Sequence, residues 1–265
     1  MRHPLPRYWA HLKSPQFAQL DVARTVAVLP VAATEQHGPH LPLSVDTDLL
    51  EGLLGLALAR LPADAPVLLL PTQAVGRSIE HETFAGTLTV ESGALIEHWL
   101  DLGRSVARGG VKKLVLLNSH GGNVSTMDIV ARQLRARHGL TAWMVNTYDL
   151  QLPQSVQELF SPHERRFGVH GGDIETSMML ALHPERVDMA LAQNFVSSSA
   201  ARAERFSVLG DGRSARLAWA VQDLHAAGAV GDAAAASAQK GQAVLDASAQ
   251  ALAQLLVQAC ELDPF

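Results

Sequence analysis

Apolar and polar positions follow two different periods along the first part of the chain. Four short apolar runs, Thr25–Ala33 (TVAVLPVAA), Val67–Pro71 (VLLLP), Leu114–Asn118 (LVLLN) and Thr141–Thr147 (TAWMVNT), are rich in β-branched or leucine side chains and are followed by punctuating residues. Such runs predict strands buried on both faces. Between them the apolar residues recur every three or four positions, at Leu49, Leu50, Leu53, Leu54, Ala57 and Leu61, and again at Leu95, Trp99, Leu102 and Val106. That is the period of a helix with one buried face. A further helix is expected over Val124–His138, stopped by Gly139. Strand and helix in alternation predict an α/β fold, with a central, mostly parallel sheet flanked by helices.

Beyond the fourth strand the pattern loosens. A helix is expected from Asp173 to about His183, just before Pro184, and an alanine-rich helical tail over Ala233–Cys260. The stretch Asn194–Asp232 has no readable period, and it is expected to shape the pocket. No repeat, long linker or charge run divides the chain, so a single domain over 1–265 is expected.

Composition narrows the class. Apolar residues make up 48% of the 265, enough for a large core, and a formal net charge of −5 gives no reason to expect a nucleic-acid partner. The one cysteine, Cys260, excludes a disulfide framework or a zinc–thiolate cluster within one chain. The N-terminal MRHPLPRYWAHLK lacks the apolar region of a signal peptide, and no apolar run approaches the roughly 20 residues of a membrane span. A cytoplasmic protein without a membrane partner is expected.

The 12 histidines are the first hint of chemistry. Four polar clusters interrupt the apolar pattern: Thr34-Glu35-Gln36-His37-Gly38-Pro39-His40 with Asp46 following, Gly76-Arg77-Ser78-Ile79-Glu80-His81-Glu82, Asn118-Ser119-His120-Gly121-Gly122-Asn123, and His170-Gly171-Gly172-Asp173-Ile174-Glu175. The first three follow predicted strands, and ligands of open α/β sheets bind beyond the carboxyl ends of the strands. Glu35, His37, Asp46 and His120 offer oxygen and imidazole nitrogen without thiolate, a donor set for Zn²⁺, Mn²⁺ or Fe²⁺. Glu35 and His37, two apart in extended chain, point to one side, and the two oxygens of Asp46 can bridge a pair of ions.

Each cluster also has a plainer reading. The Asn118–Asn123 segment could be a strand-to-helix turn with Asn123 as helix cap. His170 could be a hydrogen-bonded turn residue, and Ser78–His81 a polar surface. Their co-occurrence at successive strand ends favours the metal reading. His3, His11, His98, His138, His163, His183 and His225 lack such company and are taken as structural or surface residues.

Through Glu35-Gln-His-Gly-Pro-His-Leu-Pro with Asp46, Ser78-Ile-Glu-His with Phe84-Ala-Gly-Thr, Asn118-Ser-His-Gly-Gly-Asn, His170-Gly-Gly-Asp-Ile-Glu-Thr-Ser and the weaker Gly231-Asp-Ala-Ala…Lys240-Gly241, the chain resembles the creatininase family. The resemblance implies an α/β fold, two divalent metal ions and often a hexamer. It implies Glu35 and His120 as ligands of one metal, His37 of the other, Asp46 as the bridge, and His170 as the group that moves protons. It also exposes two departures. Gly122 stands where creatininase has a glutamate ligand, so Glu175 or water is expected to complete the metal shell. Tyr148 and Arg166 or Phe167 stand where creatininase has tryptophans over its substrate, which argues against creatinine. Glycine at 122 is more similar to other branches, which include a formylaminopyrimidine deformylase and the peptidase that processes the mycofactocin precursor.

The expected activity is hydrolysis of a non-peptide C–N bond, of cyclic-amide or formamide type, in a small molecule by metal-activated water. Ser78, Glu80 and His81 would orient ligands or substrate, and the backbone N–H groups of Gly121, Gly122 and Asn123 would bind an anionic group of the substrate. A peptidase acting on a small peptide, and a metal- or metabolite-binding protein without turnover, are the alternatives. No phosphate loop, nucleophile elbow or dinucleotide fingerprint is present. A homo-oligomer, most simply a hexamer, is expected from the resemblance and from the alanine-rich tail, whose exposure would be costly.

Overall fold

In the computed structural model, which describes residues 6–264 and so leaves His3 outside, the four apolar runs form one parallel sheet. Strands β1 (Val26–Val31), β2 (Val67–Leu69), β3 (Lys113–Asn118) and β4 (Thr141–Asn146) lie in the order β2-β1-β3-β4. The register pairs Val31 with Asn118 and Asn118 with Asn146, so the carboxyl ends of β1, β3 and β4 finish level with one another. The loops that carry chemistry therefore start from one edge.

Side chains alternate across the sheet with period two. Val26, Val28, Val115 and Leu117 face one layer, and Ala27, Leu29, Leu114 and Leu116 the other. The first layer holds α1 (Val45–Arg60), the second α2 (Ser92–Arg108) and α3 (Val124–His138). Trp99 of α2 is fully buried against the second face. Gly139 ends α3 at φ 64°, the left-handed conformation expected of a helix-stop glycine. After β4 come α4 (Gln154–Gln157), α5 (Pro162–Phe167) and α6 (Asp173–Leu182).

The stretch without a readable period contains α7 (Ser198–Arg205), α8 (Val221–Leu224) and a small antiparallel pair, β5 (Asn194–Phe195) with β6 (Gly231–Asp232). The tail helix α9 spans Ala238–Glu261, later at both ends than expected, because Gly231–Asp232 pairs with β5 and Ala233–Ala235 forms one 3₁₀ turn. By length and composition α9 could cross a bilayer, so the expectation that no segment is long and apolar enough needs correcting. Its apolar face packs on α1 and α6, with Leu245, Ala249, Leu252 and Leu256 fully buried. A Cβ at Gly241 would overlap the carbonyl of Ser177 in α6, which is how closely the two helices approach. The tail is thus a core helix within one chain, and it lends no support to an oligomer.

Candidate metal centre

Two devices bring the first cluster into the sheet's carboxyl edge. Glu35 leaves β1 and its backbone N–H is held by Leu43 O, 3.0 Å away. Gly38, at φ 78°, then turns the chain where a Cβ would come within 2.6 Å of Ala229 Cβ. Helix α1 begins at Val45, four residues before the first apolar position of its sequence pattern, so Asp46 lies in its first turn and is buried. There the helix dipole favours its negative charge. His120 follows the end of β3, and His170 pairs with Val230 in an isolated bridge.

Glu35, Asp46 and His120 form one buried group, the buried His37 and Asp46 form a second with the half-buried Glu175, and the buried Glu35, His37 and His170 form a third. The ligand atoms within each lie within 4.8 Å of one another. Asp46 stands between the first two: its Oδ1 is 3.6 Å from His37 Nε2 and its Oδ2 3.5 Å from His120 Nδ1. Glu35 Oε1 lies 3.2 Å from His120 Nδ1 and 3.8 Å from His170 Nδ1.

The outer nitrogen of each of these imidazoles is tied to a backbone carbonyl. His37 Nδ1 donates to Glu35 O at 3.0 Å, His120 Nε2 to Arg77 O at 2.8 Å and His170 Nε2 to Gln36 O at 2.6 Å. Each ring is thereby fixed with its remaining nitrogen turned inward, as in metal-binding histidines. Glu35 Oε2, His37 Nε2 and Asp46 Oδ2 are buried without a hydrogen-bond partner. Buried unpaired polar atoms are costly, and divalent cations bound among them would satisfy them. The residues present therefore fit divalent metal: Glu35, Asp46 and His120 form one candidate donor set, and His37, Asp46 and Glu175 another.

Electrostatics agree. Burial disfavours a charged imidazole, yet Asp46, Glu175 and Glu35 hold His37 up at about 9. Burial likewise opposes charge on His120, but Glu35, Asp46 and Glu80 raise it to about 10. Burial, and then the charge of Glu35, push Asp46 upward. In the metal-free protein, protons thus stand where cations would. Metal loading at pH 7 is expected to displace them, releasing at least about two protons per chain, one from each imidazole. Apparent metal affinity should therefore rise as pH increases toward 9–10, the range in which these imidazoles lose their protons. Calorimetry in buffers of different ionisation heat reads the release, and loading without it would exclude these imidazoles as ligands.

Gly122 is not an empty ligand position. A Cβ there would overlap the Arg77 carbonyl, Glu80 Oε1 and His120 Nε2. The Glu80 carboxylate fills that space, 3.6 Å from His120 Nε2 and 4.0 Å from Arg77 Nη1. Gly122→Glu is accordingly expected to displace His120 and lower metal content, not to add a ligand; elemental analysis showing more tightly held metal would contradict this.

Among the other expected residues, Ser78 is buried with Oγ 3.4 Å from His120 Nε2. His81 Nε2 is 3.3 Å from Glu35 Oε1, and its Nδ1 is 2.7 Å from Gln36 Nε2. Because Gln36 Nε2 also donates to Gly228 O at 2.9 Å, the amide is oriented as a donor and leaves His81 Nε2 to donate to Glu35. Burial pushes His81 down to about 4, which keeps it a neutral positioning group. Asn123 stands at the N-cap position of α3, as the plainer reading of this segment had it, but its side chain makes no capping bond. Its side chain donates to Ala32 O and to Asn118 Oδ1, and accepts from Arg77 N, tying three loops together. Gly121 and Gly122 line the cavity, whereas the Asn123 N–H is committed to His120 O at 3.2 Å and is not free for an anion.

The centre opens into a cavity of about 860 Å³. Its walls include Tyr148, Ile79 and Arg165, and also Leu217, Ala218 and Trp219 from the stretch that had no readable period. A tryptophan does therefore border the pocket, supplied from a different part of the chain than the resemblance suggested. Sequence reasoning also missed Gln36 and Glu164. Gln36 stood inside a quoted motif, but its partner Gly228 is 192 residues away.

A parallel sheet with carboxylates and imidazoles gathered at its carboxyl edge describes a class, and comparison with known proteins agrees. The creatininase family profile, described as creatinine amidohydrolase, matches residues 10–256. The chain belongs to that family of hydrolases. The mycofactocin precursor peptide peptidase of Mycolicibacterium smegmatis is 31% identical over 228 residues, 85% of this chain and 82% of that protein. The creatinine amidohydrolase of Pseudomonas putida is 31% identical over 186 residues, 65% and 70% of the two chains. A solved manganese creatininase is 25% identical and superimposes with a TM-score of 0.75 over 95% of this chain and 98% of that one. A zinc–zinc form of a creatininase mutant, also 25% identical, gives 0.74 over 95% and 97%.

Proposed function

We propose that the chain is a binuclear metal-dependent amidohydrolase. The observation that carries this reading is the set of three imidazoles, each locked from outside by a backbone carbonyl and turned inward toward Glu35 or Asp46, where Glu35 Oε2, His37 Nε2 and Asp46 Oδ2 are buried without a hydrogen-bond partner. Two divalent ions bound there would lower the pKa of a water to about 7 and polarise the substrate carbonyl. The chain's own residues do the rest. Asp46 spans the two groups, one oxygen toward each histidine. Glu175 supplies the second group with a carboxylate that position 122 does not. His170 lines the cavity, and burial, together with His37 and His81, holds it well below the usual imidazole range. With Nε2 donating to Gln36 O, its inward Nδ1 is the acceptor that would take a proton from the nucleophile and return it to the departing nitrogen.

For the substrate, a small non-peptide amide is one reading. The cavity favours the other, a short peptide amide: about 860 Å³ lies near the upper end of the roughly 300–1,000 Å³ that accommodates drug-sized ligands, and a single small ring would leave most of it empty. The extent of similarity to the mycofactocin precursor peptide peptidase supports the same choice. The test is a hydrolysis screen of the metal-loaded protein against short peptides, cyclic amides, ureides, formamides and creatinine. Cleavage of peptides with little turnover of creatinine is expected. Cleavage confined to cyclic amides or formamides would restore the small-molecule reading, and metal binding with no hydrolysis across the panel would leave a binding protein. The family resemblance alone carries the proposal of a homo-hexamer, for which light scattering should give six times the 28.3 kDa chain.

A further inference from the structure

Glu164 is a buried carboxylate at the cavity wall that the proposed chemistry does not use. It stands on α5, and its two oxygens reach two separate segments. Oε1 accepts from Asp173 N at 2.7 Å and Oε2 from Asp232 N at 2.8 Å. Asp173 is the first residue of α6, three past His170 and two before Glu175, while Asp232 lies two past Val230 on β6. These two segments are already joined by a reciprocal pair of bonds, His170 N to Val230 O at 3.3 Å and Val230 N to His170 O at 2.6 Å. Glu164 clamps the same two segments just beyond that bridge.

The surroundings are shaped to this carboxylate. A Cβ at Gly168 or Gly172 would overlap its carboxyl atoms, and one at Gly231 would come within 2.8 Å of Oε1. A buried carboxylate needs strong donors, and here the two N–H groups and the amino end of α6 supply them. What the clamp sets is the first turn of α6. From just before that turn Gly171 N donates to Glu175 Oε2 at 2.5 Å, and Glu175 lies beside His37 and Asp46.

We infer that Glu164 is a positioning residue for one half of the metal centre: it fixes the start of α6 against β6, and so sets where Glu175 and His170 stand relative to His37. This rests on the binuclear reading. It implies an asymmetry, because Glu35, Asp46 and His120 follow β1, open α1 and follow β3, none of which Glu164 bonds to.

The test is titration of the full-length, metal-free chain with Co²⁺, read by visible absorption and calorimetry, for the parent and for Glu164→Gln. Glutamine keeps the shape but has only one acceptor oxygen, so either Asp173 or Asp232 loses its partner. The first equivalent should bind as in the parent and the second about 10–100-fold more weakly, the usual effect of removing a group that orients a ligand. Turnover should fall through kcat and recover in part at high Co²⁺. Gly168→Ala leaves Glu164 present but forces its carboxylate aside; it should give the same split, and it decides the matter if Glu164→Gln does not fold. A folded variant with both equivalents unchanged, or with both weakened alike alongside a lowered Tm, would overturn the inference. A parent that takes up fewer than two equivalents would overturn the binuclear reading instead.

Discussion

Asp46→Ala is expected to empty both halves of the centre. The carboxylate faces His37 with one oxygen and His120 with the other, at 3.6 and 3.5 Å. Its loss should lower metal content in both groups together, whereas His37→Ala should empty mainly the half shared with Glu175. Turnover of Asp46→Ala should fall by at least about 10³-fold, because metal stabilisation of developing charge is worth several kcal/mol and each ~1.4 kcal/mol is tenfold. Elemental analysis and kinetics on the two variants check this. An Asp46→Ala protein that keeps one tightly bound ion would show that the bridge is not shared.

His170→Ala should separate chemistry from binding. If His170 moves protons and is not a ligand, the variant retains its metals while kcat falls by about 10²–10⁴-fold, the usual worth of general acid–base catalysis. The inward nitrogen of His170 lies 3.8 Å from Glu35 Oε1, the longest of the three histidine–Glu35 distances at this oxygen, and the ring also stacks on His37 and His81 at centroid distances of 4.0 and 4.2 Å. Loss of a metal equivalent from His170→Ala would reassign it to the metal. Glu175→Gln should behave the opposite way. Metal affinity should weaken first, with turnover following, and added metal should restore part of the rate. Full activity and normal metal content in Glu175→Gln would reduce Glu175 to a carboxylate at a helix start, worth under about 1 kcal/mol.

The elements with a strict period were legible in the sequence. Buried strands and one-sided helices follow from local hydrophobic spacing, and Val26–Val31, Lys113–Asn118 and Val124–His138 lie within a residue or two of their expected bounds. The order of the chemistry-bearing clusters along the chain was legible for the same reason, since loops after parallel strands share one edge. What could not be read were the contacts that close the centre over long sequence distances. Glu164 sits in a charged Pro-His-Glu-Arg-Arg-Phe segment that reads as surface, and only the approach of Gly172 and Gly231 makes it a clamp. Gly122 read as a vacated ligand position because spacing alone does not show that Glu80 fills the room beside it. Trp219 stands in a stretch without period, and its place on the cavity wall depends on where that stretch folds back.

The central claim is that these residues hold a pair of ions, so metal stoichiometry tests it most directly. The metal-free protein, titrated in turn with Zn²⁺ and Mn²⁺ and analysed for metal after removal of the free ion, should saturate at two equivalents per chain. Saturation at one equivalent, or no retained metal at all, would contradict the account.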